Sequence, residues 1–267
     1  MTPFEYRRAT SVAETVTWLR DEPEAKLLAG GQSLLGAMKL GLAAPPLLID
    51  LGGLEALRAL RDEGSSLWIG ALCTHATVAA SPLVRERLPG LACLAAGIAD
   101  QQVRNRGTLG GSLANADPAA CWQAGVLACG ATLLTDRRAI SADDFFQGLF
   151  STALEPDELL LGAHFPLGVQ LSYLKFEQPA SRFALAGAAV ARSEGEVRVA
   201  LTGLGHGVFR WQEAEAALSR RFEPEMLAGL RPDANRASSD LHASADYRLH
   251  LAGVLTRRAL INMRQTP

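Results

Sequence analysis

The sequence predicts an α+β chain in which two glycine-punctuated α/β units precede a unit of antiparallel strands and helices. Three observations point there. Paired glycines interrupt apolar segments twice, at Ala29-Gly30-Gly31-Gln32-Ser33 and at Gly107-Thr108-Leu109-Gly110-Gly111-Ser112. Beyond residue 171 the texture changes to alternation at Tyr173, Lys175 and Glu177, with further strands about the turn Ser193-Glu194-Gly195. Helical periodicity dominates from residue 212 onward. These shifts divide the chain into units at 1–55, 56–167 and 168–267.

In the first unit, Thr10 or Ser11 can cap a helix over 12–20, because Val12, Val16 and Leu19 fall on one face. A short apolar strand at 26–28 runs into the first glycine pair. A helical segment at 34–40 follows, and then a buried-strand pattern at 47–50, bounded by Pro45-Pro46 and Gly52-Gly53. The second unit opens with a strand at 67–71. Thr74 can cap a helix toward Ala80, and 88–99 reads as a longer apolar helix. After the second glycine loop come an apolar helix at 119–129, a strand at 131–135, loop at 145–150 and 155–157, and a strand at 159–165. The third unit is read as a three-stranded antiparallel sheet whose strands include 183–191 and 196–204. Helices follow at 212–218, 225–230 and 243–263, with 231–239 polar enough for a mobile loop.

Composition removes several functions. The 267 residues are 48% hydrophobic and 20% charged with a formal charge of −2, and no run of Lys and Arg interleaved with aromatics occurs. Neither a nucleic-acid groove nor membrane insertion is expected. The N-terminal residues lack the apolar stretch of a secretory signal, which reads as cytoplasmic. Cys73, Cys93, Cys121 and Cys129 form no C-x-x-C and have no histidine at ligand spacing, so no metal site is expected and each is read as a small buried apolar residue. His75, His164, His206, His242 and His250 are scattered and read as structural. Gly203-Leu204-Gly205-His206-Gly207 lacks the later glycine and acidic residue of a dinucleotide loop and reads as a turn. No catalytic residues are assigned.

What remains is the chemistry of the glycine loops. Glycine lets backbone approach a ligand and take positive φ, so successive N–H groups can converge on a phosphate. At 29–35, Ser33 adds a hydroxyl and the next helix offers its N-terminal dipole, which suits a pyrophosphate. The second loop repeats that chemistry with Thr108, Ser112 and Asn115 beside the paired glycines. A ligand-free tight turn is the alternative for the first loop, and a packing role is the alternative for the second. Two such loops suit a long, doubly phosphorylated cofactor.

Several segments together resemble the FAD-binding medium subunits of molybdenum hydroxylases: AGGQSLL at 29–35, LIDL at 48–51, IGALCTH at 69–75, QVRNRGTLGGSLANADPAA at 102–120, FFQGLFSTALEPDELL at 145–160 and YLKF at 173–176. The likeness extends through SDLHASADYRLHLAGVLTRRAL at 239–260 and so spans nearly the whole chain. The resemblance implies two FAD-binding α/β subdomains of the vanillyl-alcohol-oxidase and MurB-like type, then a C-terminal α+β domain. It implies FAD as cofactor, with the diphosphate held by Ala29, Gly30, Gly31, Gln32, Ser33, Leu34 and Leu35 and by Thr108, Gly110, Gly111 and Ser112. Asn115 matches a position near the adenosine end, and Tyr173 and Lys175 match positions beside the flavin ring. Cys121 stands where relatives often carry a cofactor-binding aspartate, and the stretches 135–140 and 166–170 look shorter than usual. The family's partners are a molybdopterin-binding large subunit and a 2Fe-2S small subunit, from which electrons reach FAD and then an external acceptor. A stand-alone FAD-dependent oxidase or dehydrogenase acting on a small organic substrate, and a flavin-free assembly protein, are the alternatives.

Overall fold

The computed structural model, which describes residues 2–265, begins with a three-stranded parallel sheet. Strand β1 (Glu5–Arg8) leads into helix α1 (Val12–Asp21), β2 (Lys26–Leu28), α2 (Leu34–Lys39) and β3 (Leu47–Asp50), and the strand order is β1-β3-β2. Ser11 starts α1: its Oγ accepts from Glu14 N at 3.1 Å, while the Glu14 carboxylate accepts from Thr10 N at 2.7 Å. The first bond satisfies a donor that the first helical turn leaves free, and the second ties the residue before the cap to the helix. Val16 and Leu19 of α1 bury against Leu47 and Ile49, and the same core takes in Leu57, Leu72 and Leu159 from the next unit. The first sheet is therefore seated on the second.

That second sheet is antiparallel, in the order β4-β5-β10-β6-β7. Its strands are β4 (Leu60–Asp62), β5 (Ser66–Gly70), β6 (Thr132–Thr135), β7 (Ala139–Ser141) and β10 (Leu160–Pro166). Between β5 and β6 lie α3 (His75–Ala80), α4 (Pro82–Arg87), α5 (Pro89–Ala96), α6 (Gln101–Arg104), α7 (Leu109–Asn115) and α8 (Trp122–Ala128). Short α9 (Ala142–Phe145) precedes the hairpin β8 (Phe146–Gly148) and β9 (Ser151–Thr152). Leu91, Leu94, Leu109, Trp122, Val126, Phe145 and Phe165 fill the core beneath the sheet. A fully buried side chain of this size contributes about 1.5–3 kcal/mol through the area it removes from water.

The third unit is a meander of β11 (Gln170–Glu177), β12 (Ala184–Ser193), β13 (Glu196–Thr202) and a short fourth strand β14 (Phe209–Arg210), with α10 (Gln212–Arg220) and α11 (Ala245–Gln265) packed on it. The two-residue β14 extends the expected three-stranded sheet. Residues 184–191 of β12 are buried throughout. Ala189 and Ala191 join the core of the second unit, whereas Ala186, Ala188 and Val190 face the core shared with α10 and α11. Small side chains let elements approach from both faces, and Gly195 (φ +79°) makes the β12–β13 turn.

Several expectations change. Residues 109–115 of the second glycine loop are helix, the helix expected over 119–129 begins only at Trp122, and that over 88–99 ends at Ala96. The segment 225–230 forms a 3-10 turn at Pro224–Leu227. Cys93 is exposed, unlike the other three cysteines. The polar stretch 231–239 is tied down by Ser238 N donating to Leu204 O at 2.8 Å. Gly203, Gly205 and Gly207 all take positive φ in a turn that leads into the short strand β14 rather than directly into a helix.

Candidate functional site

The first glycine loop connects β2 to α2. Gly31 has φ +73°, and its missing side chain leaves room for Leu28 and Leu35, whose methyls lie 3.2 and 2.9 Å from where a Cβ would stand. Among the described residues, the N–H groups of Gly30, Gly31, Gln32 and Ser33 find no acceptor. Gln32 Nε2 donates to Gly30 O at 3.3 Å, and Ser33 offers its hydroxyl at the start of α2 without capping it. Gly30 and Gly31 are half-buried, Gln32 and Ser33 exposed. Ala29, Leu34 and Leu35 flank the turn as its half-buried apolar walls. The result is a run of four backbone donors, which is what a phosphate or diphosphate requires.

The second loop meets the first directly. A Cβ on Gly30 would fall 2.2 Å from Arg106 O and 2.8 Å from Gly107 Cα, so only glycine allows this approach. Its own backbone chemistry differs from the first loop's, however. Leu109 N donates to Cys73 O (3.0 Å), Gly110 N to Ala71 O (2.8 Å), Gly111 N to Thr108 Oγ1 (3.1 Å) and Ser112 N to Thr108 O (3.1 Å). The first turn of α7 is thus fully capped by protein. Gly110 is there for packing, since its Cβ would sit 2.5 Å from the Ala71 methyl, while a Cβ on Gly111 would sit 2.8 Å from Thr108 Oγ1 and 3.5 Å from the Ala29 methyl. What the loop can present to a ligand is side chains: among the described residues, Ser112 Oγ and the Asn115 amide have no hydrogen-bond partner.

Cys121, Tyr173 and Lys175 come together where the segment before α8 meets β11. Residues 118–120 are pinned to the sheet ends: Thr202 Oγ1 donates to Pro118 O at 2.6 Å, and Ala184 N donates to Ala119 O at 3.1 Å. This places the buried Cys121 thiol next to Tyr173 Oη and within the field of Lys175. Tyr173 Oη is buried and makes no hydrogen bond of good geometry among the described residues. It fits because Gly187 has no Cβ, which would lie 2.7 Å away. Burial pushes both the Cys121 thiol and the Tyr173 phenol above their ordinary values, so both stay neutral. Lys175 Nζ donates to Arg182 O at 2.6 Å and lies 3.5 Å from Glu177. This cluster therefore offers an aromatic ring, a neutral thiol and one nearly buried cation.

His75 holds a place the sequence did not single out. Trp122 Nε1 donates to His75 Nδ1 at 2.9 Å inside the core, and burial with the charge of Arg104 lowers its pKa to about 4. The signal was present in the composition of α3 and α8, but the pairing joins residues far apart in the chain. Among the described residues, no group of three His, Cys, Asp or Glu is placed to hold a metal, and no helix is long and apolar enough to cross a membrane.

The family model described as FAD binding domain in molybdopterin dehydrogenase matches residues 2–168, and that described as CO dehydrogenase flavoprotein C-terminal domain matches residues 172–263. The carbon monoxide dehydrogenase medium chain of Hydrogenophaga pseudoflava is 37% identical over 274 residues, 96% of each chain. The nicotine 6-hydroxylase medium subunit of Paenarthrobacter nicotinovorans is 36% identical, covering 97% of this chain and 96% of its own. Among solved structures, carbon monoxide dehydrogenase from Hydrogenophaga pseudoflava superposes with a TM-score of 0.87 at 36% identity, covering 98% of this chain and 97% of that one. Quinoline 2-oxidoreductase from Pseudomonas putida 86 gives 0.86 at 32% identity over 99% and 98%. Two meeting glycine loops and a match over the full length lead to one assignment: the chain belongs to the FAD-binding medium subunits of the molybdenum hydroxylases, a family of oxidoreductases.

Proposed function

We propose that this chain is the electron-transfer flavoprotein of a molybdopterin-dependent dehydrogenase or hydroxylase, taking electrons from 2Fe-2S clusters of a small partner subunit and passing them to an external acceptor. The observation that carries the reading is the run of four acceptor-free N–H groups at Gly30, Gly31, Gln32 and Ser33, in a loop that closes on Arg106–Gly107. Those donors would take the FAD diphosphate, with Ala29, Leu34 and Leu35 walling it. Thr108, Ser112 and Asn115 would add side-chain hydrogen bonds, Gly111 would keep the approach clear, and Gly110 would serve the site by letting α7 pack closely on Ala71. Cys121, Tyr173 and Lys175 would border the isoalloxazine, where an aromatic face can stack and a cation favours the ring's gain of negative charge. Bound FAD would supply the oxidation–reduction chemistry. The protein's part is to orient it and to set the local field.

In this reading residues 1–55 and 56–167 are two FAD-binding subdomains and 168–267 the C-terminal domain. The molybdopterin-binding large subunit, which would act on the substrate, is a separate chain, and the assembly works in the cytoplasm. The relatives named above as medium chains, matched over 96% of their length, support a subunit rather than a free-standing oxidase. The test is to purify the chain with FAD supplied and record its visible spectrum, alone and after co-expression with candidate large and small subunits. Flavin bands in the isolated chain, with dehydrogenase turnover only in the assembly, are expected. Turnover of an organic substrate by the isolated flavoprotein would replace this reading with the stand-alone oxidase, and a colourless chain that cannot be reconstituted would remove the flavin altogether.

A further inference from the structure

Four residues from four segments form a continuous stack. Trp122, fully buried at the start of α8, donates Nε1–H to His75 Nδ1 at 2.9 Å. His75, the first residue of α3 and 5% exposed, lies under Gly107: a Cβ there would be 2.7 Å from His75 Nε2 and 2.9 Å from Cδ2. Its main chain binds the same residue, His75 N donating to Gly107 O at 2.9 Å. Gly107 and Arg106 in turn fill the space that Gly30 leaves empty on the first loop. The contacts of His75 with Gly107 and of Gly107 with Gly30 are both closer than a side chain on the glycine would permit.

An indole N–H can only donate, so Nδ1 must be the bare nitrogen and the neutral ring carries its proton on Nε2. One tautomer and one ring orientation are thereby fixed. We propose that His75 is a positioning residue for the cofactor site: locked by Trp122, its imidazole is the wedge that holds the Arg106–Gly107 peptide against Gly30, so that the two glycine loops meet as one cradle. The inference rests on the FAD reading above. It also explains why Cys121 and Trp122 are neighbours, since α8 anchors the Tyr173 cluster through one residue and the loop junction through the next.

A second proton on His75 would set Nδ1–H against the indole N–H and break the bond. The helices α3, α7 and α8 bring no charged side chain to the ring, and Arg104 of α6 is the charge that acts on it, opposing protonation. The experiment measures FAD dissociation constants by flavin fluorescence from pH 8 to pH 4 for the wild type and for His75→Gln, His75→Leu and Trp122→Phe. An amide can accept from Trp122 and donate past Gly107, so His75→Gln should bind within about threefold of wild type at neutral pH. His75→Leu leaves the indole N–H unpaired and should bind about tenfold or more weakly. Wild-type affinity should hold across most of the range and fall as pH approaches about 4, where the ring takes up its proton; His75→Gln should lack that step. Trp122→Phe keeps the ring but frees its tautomer, and should weaken binding even if His75→Leu fails to fold. Folded His75→Leu and Trp122→Phe proteins that bind FAD as tightly as wild type, or a His75→Gln profile with the wild-type step, would overturn the wedge. A wild type that binds no FAD would instead remove the reading beneath it.

Discussion

Gly30→Ala should weaken FAD binding while leaving the fold intact. The added methyl would stand 2.2 Å from Arg106 O, 2.8 Å from Arg106 C and 2.8 Å from Gly107 Cα. All three are backbone atoms, so no rotamer change relieves the clash, and the loops must part by about 1 Å to reach ordinary contact. Overpacking of this kind costs about 1–3 kcal/mol. If that cost falls on the closed arrangement of the loops, affinity drops by about 5- to 150-fold. Gly36→Ala is the matched control, because a Cβ there meets nothing within 4 Å and the site is inside α2. It should raise stability by about 0.5–1 kcal/mol and leave FAD affinity unchanged. Fluorescence titration gives the affinities, and thermal melts of the apoprotein give the stabilities. Gly30→Ala binding FAD as the wild type does, or Gly36→Ala losing affinity equally, would refute the loop contact as the basis of the site.

Three further outcomes follow from the same geometry. His75 has a folded pKa of about 4, below its ordinary 6.5, so the unfolded chain takes up the proton first. Its contribution is complete above pH 6.5, shrinks as pH falls to about 4, and amounts to roughly 3 kcal/mol; urea midpoints across this window should fall more for wild type than for His75→Gln. Tyr173→Phe removes a buried hydroxyl without a well-formed partner, so its melting temperature should match or exceed wild type, and a clear drop would reveal an O–H···S bond to Cys121. Arg138→Ala strips Glu158 of two hydrogen bonds at 2.9 Å, leaving Thr135 and Glu155 N to hold a carboxyl that Arg138 keeps down at about 2. Denaturation should register a clear loss of stability; no loss would mean water replaces the guanidinium freely.

The sequence was most legible where local chemistry decided the structure. The strands Lys26–Leu28 and Leu47–Asp50 stand where apolar runs bounded by turn residues placed them, and Ser11 caps α1. It was least legible where distant partners decide. Leu109–Asn115 reads as loop because paired glycines are poor helix formers, yet carbonyls of Cys73 and Ala71 satisfy its first N–H groups and make helix affordable. β1 has no apolar alternation in Glu-Tyr-Arg-Arg and exists by pairing with β3. β12 hides its period because alanines on both faces are buried against different layers.

The same division runs through the site. Gly30 and Gly31 announce backbone freedom, but nothing local says that Gly30 serves Arg106, that Gly110 serves Ala71, or that Gly187 serves Tyr173. Nor could it show that the second loop spends its backbone donors on its own cap. The glycines mark where close approaches occur; the fold decides which are to ligand and which to protein.

That distinction gives the most direct measurement: amide hydrogen exchange across residues 28–35 and 107–115, with and without FAD. The N–H groups of Gly30 to Ser33 have no acceptor among the described residues, whereas those of Leu109 to Ser112 are already bonded. If the first loop cradles the diphosphate, FAD should slow exchange strongly at residues 30–33 and little at 109–112. Protection confined to 109–112, or no change at 30–33 in a protein that holds FAD, would contradict the account.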